Sequence, residues 1–423
     1  MTTDFTLDHR HKSYPSHLGA CQASELGAKG WNVLANDLAF PLAVIRESAL
    51  NHNLQWMQDF AQRKGVFLAP HGKTPMSPQL SERQLAAGAW GLTFATVYQT
   101  HVGVAAGARN IIIANQVLGD ADLDGLSALL VKHADLRVWF LVDSLAQLNV
   151  IEDWAQRRQS SVCFDVLLEM GIRGQRTGCR TLDEAMALAR VLSQSSCVRL
   201  GGIECYEGGL ARCDSEHDIP AVTALVRRVI ECAKACDAEK LFAGDEVLIT
   251  AGGSAVFDLV IPLLRMQGLS SPMRGVQRSG CYLTHDHGNY ARLLAQVEKR
   301  EGLDSSLQAA ICVWTMVQSV PETGLALLSC GRRDISYDIE MPIPVHHALR
   351  GAKSAKPAPS HWKISALNDQ HAYLRFDPAV AEVAVGDRVG LGISHPCTTF
   401  DKWRWMALVA DDWSVTGAIS TAF

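Results

Sequence analysis

Eight short aliphatic or β-branched runs, at residues 65–70, 91–96, 110–116, 138–143, 164–170, 198–206, 246–252 and 274–283, recur with helix-patterned segments between them. Strands that alternate with helices call for a parallel sheet, and eight is the number that closes one into a (β/α)₈ barrel of the TIM type. The helices have readable starts. Ser144 with Gln147 makes a capping-box pattern, after which Leu145, Leu148, Ile151 and Trp154 fall on one face. Thr181 with Glu184 repeats the pattern ahead of Leu188 and Leu192. After about residue 290 the alternation gives way to short strands with Gly, Pro and Asp turns, as in Val383 to Leu391 and Trp405 to Val409. The expected division is an N-terminal arm over residues 1–37, a barrel over 38–290, and a mostly β C-terminal domain over 291–423. The polar arm is read as lying over the surface or partly disordered, and Gly351 to Ser360 as an exposed loop.

Composition supports an ordinary globular chain. With 423 residues, 48% hydrophobic and 20% charged, it can bury a core large enough for two domains. A net charge of -5 without a basic run argues against nucleic acid or an anionic membrane as partner, so a small substrate is expected. The first thirty residues carry Asp4, Asp8, Arg10 and Lys12 and lack the apolar core of a signal peptide. No later run approaches membrane-spanning length, so a cytoplasmic location is expected. The twelve cysteines are scattered and read as reduced thiols. Cys232 and Cys236, four apart on a helix, read as core because no further ligands cluster with them.

Three local patterns carry chemistry. Val66 to Ala69 reads as a buried strand that Pro70 and Gly72 terminate, which puts Lys73 just past its C-terminal end, where barrels place their active sites. A lysine there, with His71 as a neighbour, is a candidate for Schiff-base chemistry, although the local pattern also accommodates a solvated turn lysine. Gly252, Gly253 and Ser254 follow the seventh strand and precede Ala255 to Leu264, which reads as helical. Such a turn suits a phosphate, because glycines let backbone N–H groups approach it and a helix N-terminus adds a favourable dipole. A glycine pair by itself is usually only a turn. His395-Pro396-Cys397 follows a strand, and in an extended segment residues i and i+2 point to one side, where nitrogen and sulfur would favour zinc. The pairs His285/His287 and His346/His347 are rival ligand sources without a motif, and are read as polar loops.

Pro70-His71-Gly72-Lys73-Thr74 resembles the P-H-x-K-T signature of the fold-type III pyridoxal phosphate enzymes related to D-threonine aldolase and D-serine dehydratase, which share an alanine racemase-like barrel. Gly171 to Gly178 is similar to the family's G-x-x-R-x-G turn, Tyr206-Glu207-Gly208 to its Y-x-G, and Ala251 to Ser254 to its phosphate loop. His395-Pro396-Cys397 resembles the H-x-C metal pair of the dehydratase branch. The resemblance implies that Lys73 carries pyridoxal phosphate and that His71, Arg176, Tyr206, Gly252, Gly253, Ser254 and Tyr282 surround it. Tyr206 would lie against the cofactor ring with Arg176 nearby, Tyr282 would reach the phosphate from the eighth strand, and His395 and Cys397 would hold Zn²⁺. From residue types alone, Tyr206 also suits a core position and Arg176 a surface ion pair. The resemblance further implies pairing of residues 40–45 with the β domain, and a homodimer.

The chain departs from the family in two places. Gln370 precedes His371 where the family has Glu, and Ala255-Val256 follows the phosphate loop where it has Pro-Thr. The reading is a pyridoxal phosphate- and zinc-dependent dehydratase of D-serine or a related D-3-hydroxy amino acid, giving a 2-keto acid and ammonia. Lys73 would remove the α-proton, and zinc would make the β-hydroxyl a better leaving group. The alternative is a metal-dependent D-3-hydroxy amino acid aldolase, whose harder cation suits an Asp where this chain has Cys397. A racemase needs no metal pair, and a non-catalytic cofactor carrier resembles the barrel alone.

Overall fold

The structure, a computed structural model, describes residues 4–423. Eight parallel strands form the barrel: Phe67–Leu68, Leu92–Phe94, Asn110–Gln116, Arg137–Val142, Phe164–Met170, Val198–Cys205, Val247–Ala251 and Met273–Gln277. The first strand pairs with the last, Phe67 opposite Val276. Between the first and second strands closure passes to the segment that follows the first: His71 bridges Thr93 in parallel, and the Thr93 hydroxyl donates to the Ala69 carbonyl at 2.6 Å. The lysine-bearing turn is thus the seam of the barrel.

Side chains alternate across the strands with period two. Ile112, Trp139, Leu141, Leu167, Leu248 and Val276 fill the interior, while Ile111, Ile113, Val138, Phe140, Val166 and Leu168 pack outward against the helices. Trp139 fits because Gly201 stands beside its indole, where a Cβ would come within 2.9 Å of the ring nitrogen. The helix after the fourth strand, Leu145–Arg158, is capped by Ser144, but Gln147 donates its side chain to the Leu141 carbonyl and accepts from Asp143, so the reciprocal half of the expected box is absent. Leu148, Ile151 and Trp154 are buried, and Leu145 is instead exposed because it occupies the first helical position, outside the packed face. At Thr181 the full capping box forms with Glu184. Cys232 and Cys236 lie in the core on the helix Ser215–Ala238.

Two sequence expectations near the eighth strand are corrected. The strand stops at Gln277, and Cys281–Leu283 forms a single 3₁₀ turn rather than its continuation. The segment from Ala255 is irregular until the one-turn helix Ile261–Leu264. A helix, Asn289–Glu301, follows, and the antiparallel strands begin with Ile311–Glu322. That long strand is the spine of the C-terminal sheet. It pairs with Leu325–Leu328, with Arg388–Gly392 and with Leu42–Arg46 from the start of the chain. Leu42–Arg46 also runs parallel to Trp405–Val409, which forms a hairpin with Val415–Ser420.

The described part of the N-terminal arm, from Asp4, is packed. Leu7, Tyr14, Leu26, Val33 and Leu34 share a core with Trp314, Trp405 and Trp413. Residues 1–3 of the expected arm lie outside the described residues. Within the expected loop 351–360, Lys356–Pro357 is an edge strand paired with Ile343–Ala348. His346 and His347 sit on that latter strand, not in a loop. His346 stacks on Trp314 and meets Trp413 edge-on, and His347 approaches Asp387 at 3.2 Å. No helix among the described residues is long and apolar enough to cross a membrane.

Candidate active site

A cavity of about 360 Å³ opens at the C-terminal ends of the barrel strands and is lined by both parts of the chain. Its size is in the range of small-molecule sites. Lys73 faces it from the seam after the first strand, and among the described residues it makes no hydrogen bond or ion pair. Its neighbour His71 also lines the cavity, with Nδ1 buried and without a partner. Burial, helped by the charges of Lys73, Arg278 and Arg176, pushes the His71 imidazole well below its usual range, so the ring is neutral. Gly280 must be glycine to approach it, since a Cβ there would come within 2.6 Å of His71 Cβ.

The end of the sixth strand brings Tyr206 to the wall, with the Arg176 guanidinium over its ring at 4.9 Å. Gly253 and Ser254 line the cavity; Gly252 does not. The two glycine N–H groups are already engaged. Those of Gly252 and Gly253 donate to the Glu207 carboxylate at 3.0 and 2.6 Å. Glu207 is fully buried, and burial raises its pKa while these N–H bonds oppose the rise. The Ser254 hydroxyl in turn accepts the N–H groups of Gly280 and Cys281 at 3.3 and 3.1 Å. The Gly280 and Cys281 N–H groups are thus engaged as well, and the donor left for a phosphate at this turn is the hydroxyl of Ser254, one of the residues that sequence reading names for it.

Tyr282 itself is not at the site. The 3₁₀ turn rotates it into the outer core, where it is buried and its hydroxyl accepts from Gln84 at 3.2 Å. Cys281 and Tyr290 reach the cavity instead. At the barrel end of the cavity lies Arg278, buried among carboxylates. It pairs with Glu204, donates to the Thr250 hydroxyl at 2.8 Å, and leaves its Nε without a partner. Burial raises Glu204 to about 8 despite that cation. Nothing in the local pattern around Arg278 distinguished it from a strand-end surface arginine.

The opposite wall comes from the β domain through His395 and Cys397. The segment is not extended as expected. Pro396 has helical angles and Cys397 opens the one-turn helix Cys397–Phe400, so the two side chains converge around a turn. His395 Nδ1 lies 2.6 Å from Asp338, which also accepts from the Thr398 hydroxyl at 2.8 Å. This carboxylate fixes the imidazole and leaves Nε2 for another bond, as carboxylates behind metal-bound histidines do. Contacts with Cys281, His395 and Thr74 hold the Cys397 thiol well below its usual pKa, against the effect of burial. Thr74, next to Lys73, is 3.2 Å from Cys397 Sγ, which ties the seam to the His395–Cys397 turn. Against the effect of burial, Cys397 and Asp338 in turn raise the His395 imidazole to about 9, so the two side chains form a charged pair; once that proton is displaced, nitrogen and thiolate are a donor set that suits zinc. Among the described residues, no three or more His, Cys, Asp and Glu side chains are already drawn together as a closed ligand set. His285, His287, His346, His347 and His371 do not line the cavity.

Comparison with known proteins follows this geometry. The family "Alanine racemase, N-terminal domain" matches residues 45–293, and "Putative serine dehydratase domain" matches residues 310–409. The chain is 26% identical over 373 residues to a D-threonine aldolase of an Arthrobacter species, covering 88% of this chain and 89% of that protein. It is 25% identical over 394 residues to the D-threo-3-hydroxyaspartate dehydratase of Delftia sp. (strain HT23), covering 88% and 94%. Among solved structures, D-threonine aldolase from Filomicrobium marinum superposes with a TM-score of 0.76 at 23% identity, over 93% of this chain and 97% of that one. The dehydratase from Delftia gives 0.69 at 23%, over 91% and 97%; these likenesses describe the fold.

Proposed function

The chain belongs to the alanine racemase-type, fold-type III pyridoxal phosphate enzymes, and we propose on that premise that it is a lyase of D-3-hydroxy amino acids that acts as a zinc-dependent dehydratase. The observation that carries the reading is that Lys73, from the barrel seam, and His395 with Cys397, from the β domain, line one cavity. When bound, pyridoxal phosphate supplies an electron sink for Cα and zinc a Lewis acid for a hydroxyl oxygen.

The chain's own residues do the rest. Lys73 would hold the cofactor through its amine and, when that amine is free, would accept the proton from Cα. Its amine is available for both roles because no side chain competes for it. Ser254, whose hydroxyl accepts the Gly280 and Cys281 N–H groups, would hold the phosphate, and Arg278 places a fixed cation at the barrel end. Tyr206 and Arg176 form the wall beside the ring. His395 and Cys397 would hold the metal, with Asp338 fixing the His395 ring through Nδ1. Elimination of water across Cα and Cβ then yields a 2-keto acid and ammonia after hydrolysis of the released enamine. D-Serine and D-3-hydroxyaspartate both satisfy this chemistry. The working unit is taken as a homodimer with a small D-amino acid as its only partner.

Cleavage of the Cα–Cβ bond is the second reading, because aldolases and a dehydratase are similar to this chain at nearly equal identity. The soft Cys397 ligand favours the dehydratase. The deciding experiment incubates the purified enzyme with D-serine, D-threonine and D-3-hydroxyaspartate. Keto acid and ammonia are expected; glycine with an aldehyde would establish the aldolase, and no turnover of any of the three would overturn both.

A further inference from the structure

Cys281 is a cavity-lining thiol that the chemistry above does not use. It sits on the turn after the eighth strand, 5% exposed, with its N–H on the Ser254 hydroxyl. Its sulfur lies 3.8 Å from Cys397 Sγ and 4.0 Å from the Thr74 hydroxyl. We infer that Cys281 is a third protein ligand of the catalytic zinc, so that the site is Cys₂His, with His395 and Cys397, and keeps one position open for the substrate oxygen. The inference rests on the zinc reading of the proposed function and deepens it.

The spacing carries the argument. A tetrahedral zinc with Zn–S bonds of about 2.3 Å holds two sulfurs roughly 3.8 Å apart. That is the separation found here, and it far exceeds the ~2.05 Å of a disulfide bond. The two thiols come from different parts of the chain, one after the last barrel strand and one from the β domain, and both face the cavity that Lys73 faces. His395 contributes the third donor beside Cys397, oriented by Asp338. The three are not yet closed around one point. The inference requires that rotation of these side chains about a bound ion bring the three donors to one point.

Two consequences follow for the chemistry of the site. A pair of thiolates neutralises the charge of Zn²⁺, which makes the site softer than one with a single sulfur and strengthens its discrimination against manganese and magnesium. A single open position also means that the substrate binds the metal through one oxygen rather than by chelation. Because the Cys281 N–H donates to the Ser254 hydroxyl, the same turn supports both the residue proposed for the phosphate and the one proposed for the metal.

Zinc K-edge X-ray absorption of the holoenzyme tests this directly. The expected result is two sulfur scatterers at about 2.3 Å in the native protein and one in Cys281→Ser, with zinc affinity reduced by at least tenfold in a chelator competition. Retention of the cofactor's visible colour by the variant shows that its pocket is intact. One sulfur in the native enzyme overturns the assignment of Cys281 while leaving zinc on His395 and Cys397. Two sulfurs persisting in Cys281→Ser, or a Cys281–Cys397 disulfide detected by mass in the zinc-loaded protein, would overturn it equally. A native enzyme that binds no zinc would overturn both this inference and the zinc reading beneath it.

Discussion

The Glu207 carboxylate accepts the N–H of Gly253 at 2.6 Å, and its second oxygen accepts the N–H of Gly252 at 3.0 Å. A buried acid therefore ties the loop after the sixth strand to the loop after the seventh, and it occupies the donors that a glycine-rich turn would otherwise offer a ligand.

Glu207→Gln tests that tie. An amide can accept one of the two N–H groups but turns its NH₂ toward the other, leaving a buried donor unmatched at a cost of about 1–3 kcal/mol. Urea unfolding of the variant should show that loss. An unchanged midpoint would mean that water or a rotated peptide satisfies the glycines.

Lys73→Ala should separate chemistry from stability. The amine has no partner to lose, so the variant should unfold within about 0.5 kcal/mol of the native protein, as surface-type changes do. Borohydride treatment followed by mass analysis should find no pyridoxyl adduct. An adduct retained at another lysine would remove Lys73 from its proposed role.

Asp338→Asn addresses the support of the metal pair. Loss of the carboxylate behind His395 should weaken zinc binding by about 10–100-fold, with the amide still able to orient the ring in part. A chelator titration reads the change. Equal affinities would make the Asp338–His395 contact a surface ion pair only.

Two partly buried histidines, His287 ahead of the helix Asn289–Glu301 and His346 on a strand of the β domain, set a dependence on pH. Burial lowers both His287 and His346 to about 4 from the usual 6.5. Between pH 6.5 and 4 the unfolded chain takes up protons that the folded one refuses, so stability falls as pH falls through that window. Each group contributes a slope of up to about 1.4 kcal/mol per pH unit. Denaturant midpoints measured at pH 7, 6 and 5 should decline, and His287→Asn should flatten the decline whatever its effect on absolute stability. A native profile that is level across the window would show that these rings protonate in the folded state.

Periodicity determined the architecture. Seven of the eight barrel strands lie within a few residues of runs visible in the chain, because strands buried on both faces must be continuously apolar. The place of Lys73 was legible because Pro70 and Gly72 end the strand ahead of it, whereas its role was not, since the same pattern also accommodates a solvated turn lysine. The capping box at Thr181 formed because both partners are local.

Tertiary structure decided what depends on convergence. The eighth run, 274–283, reads as one long strand although Arg274, Gln277, Arg278 and Ser279 interrupt it, and the chain turns after Gln277 and exchanges Tyr282 for Cys281 at the cavity. Arg278, Glu207, Tyr290 and Asp338 carry no local signature, since their importance lies in partners distant along the chain. Glu207 shows the limit most clearly. Gly252 and Gly253 mark a loop with free N–H groups, but which oxygen fills them depends on how the sixth and seventh strands lie beside each other, a relationship that no window of sequence contains.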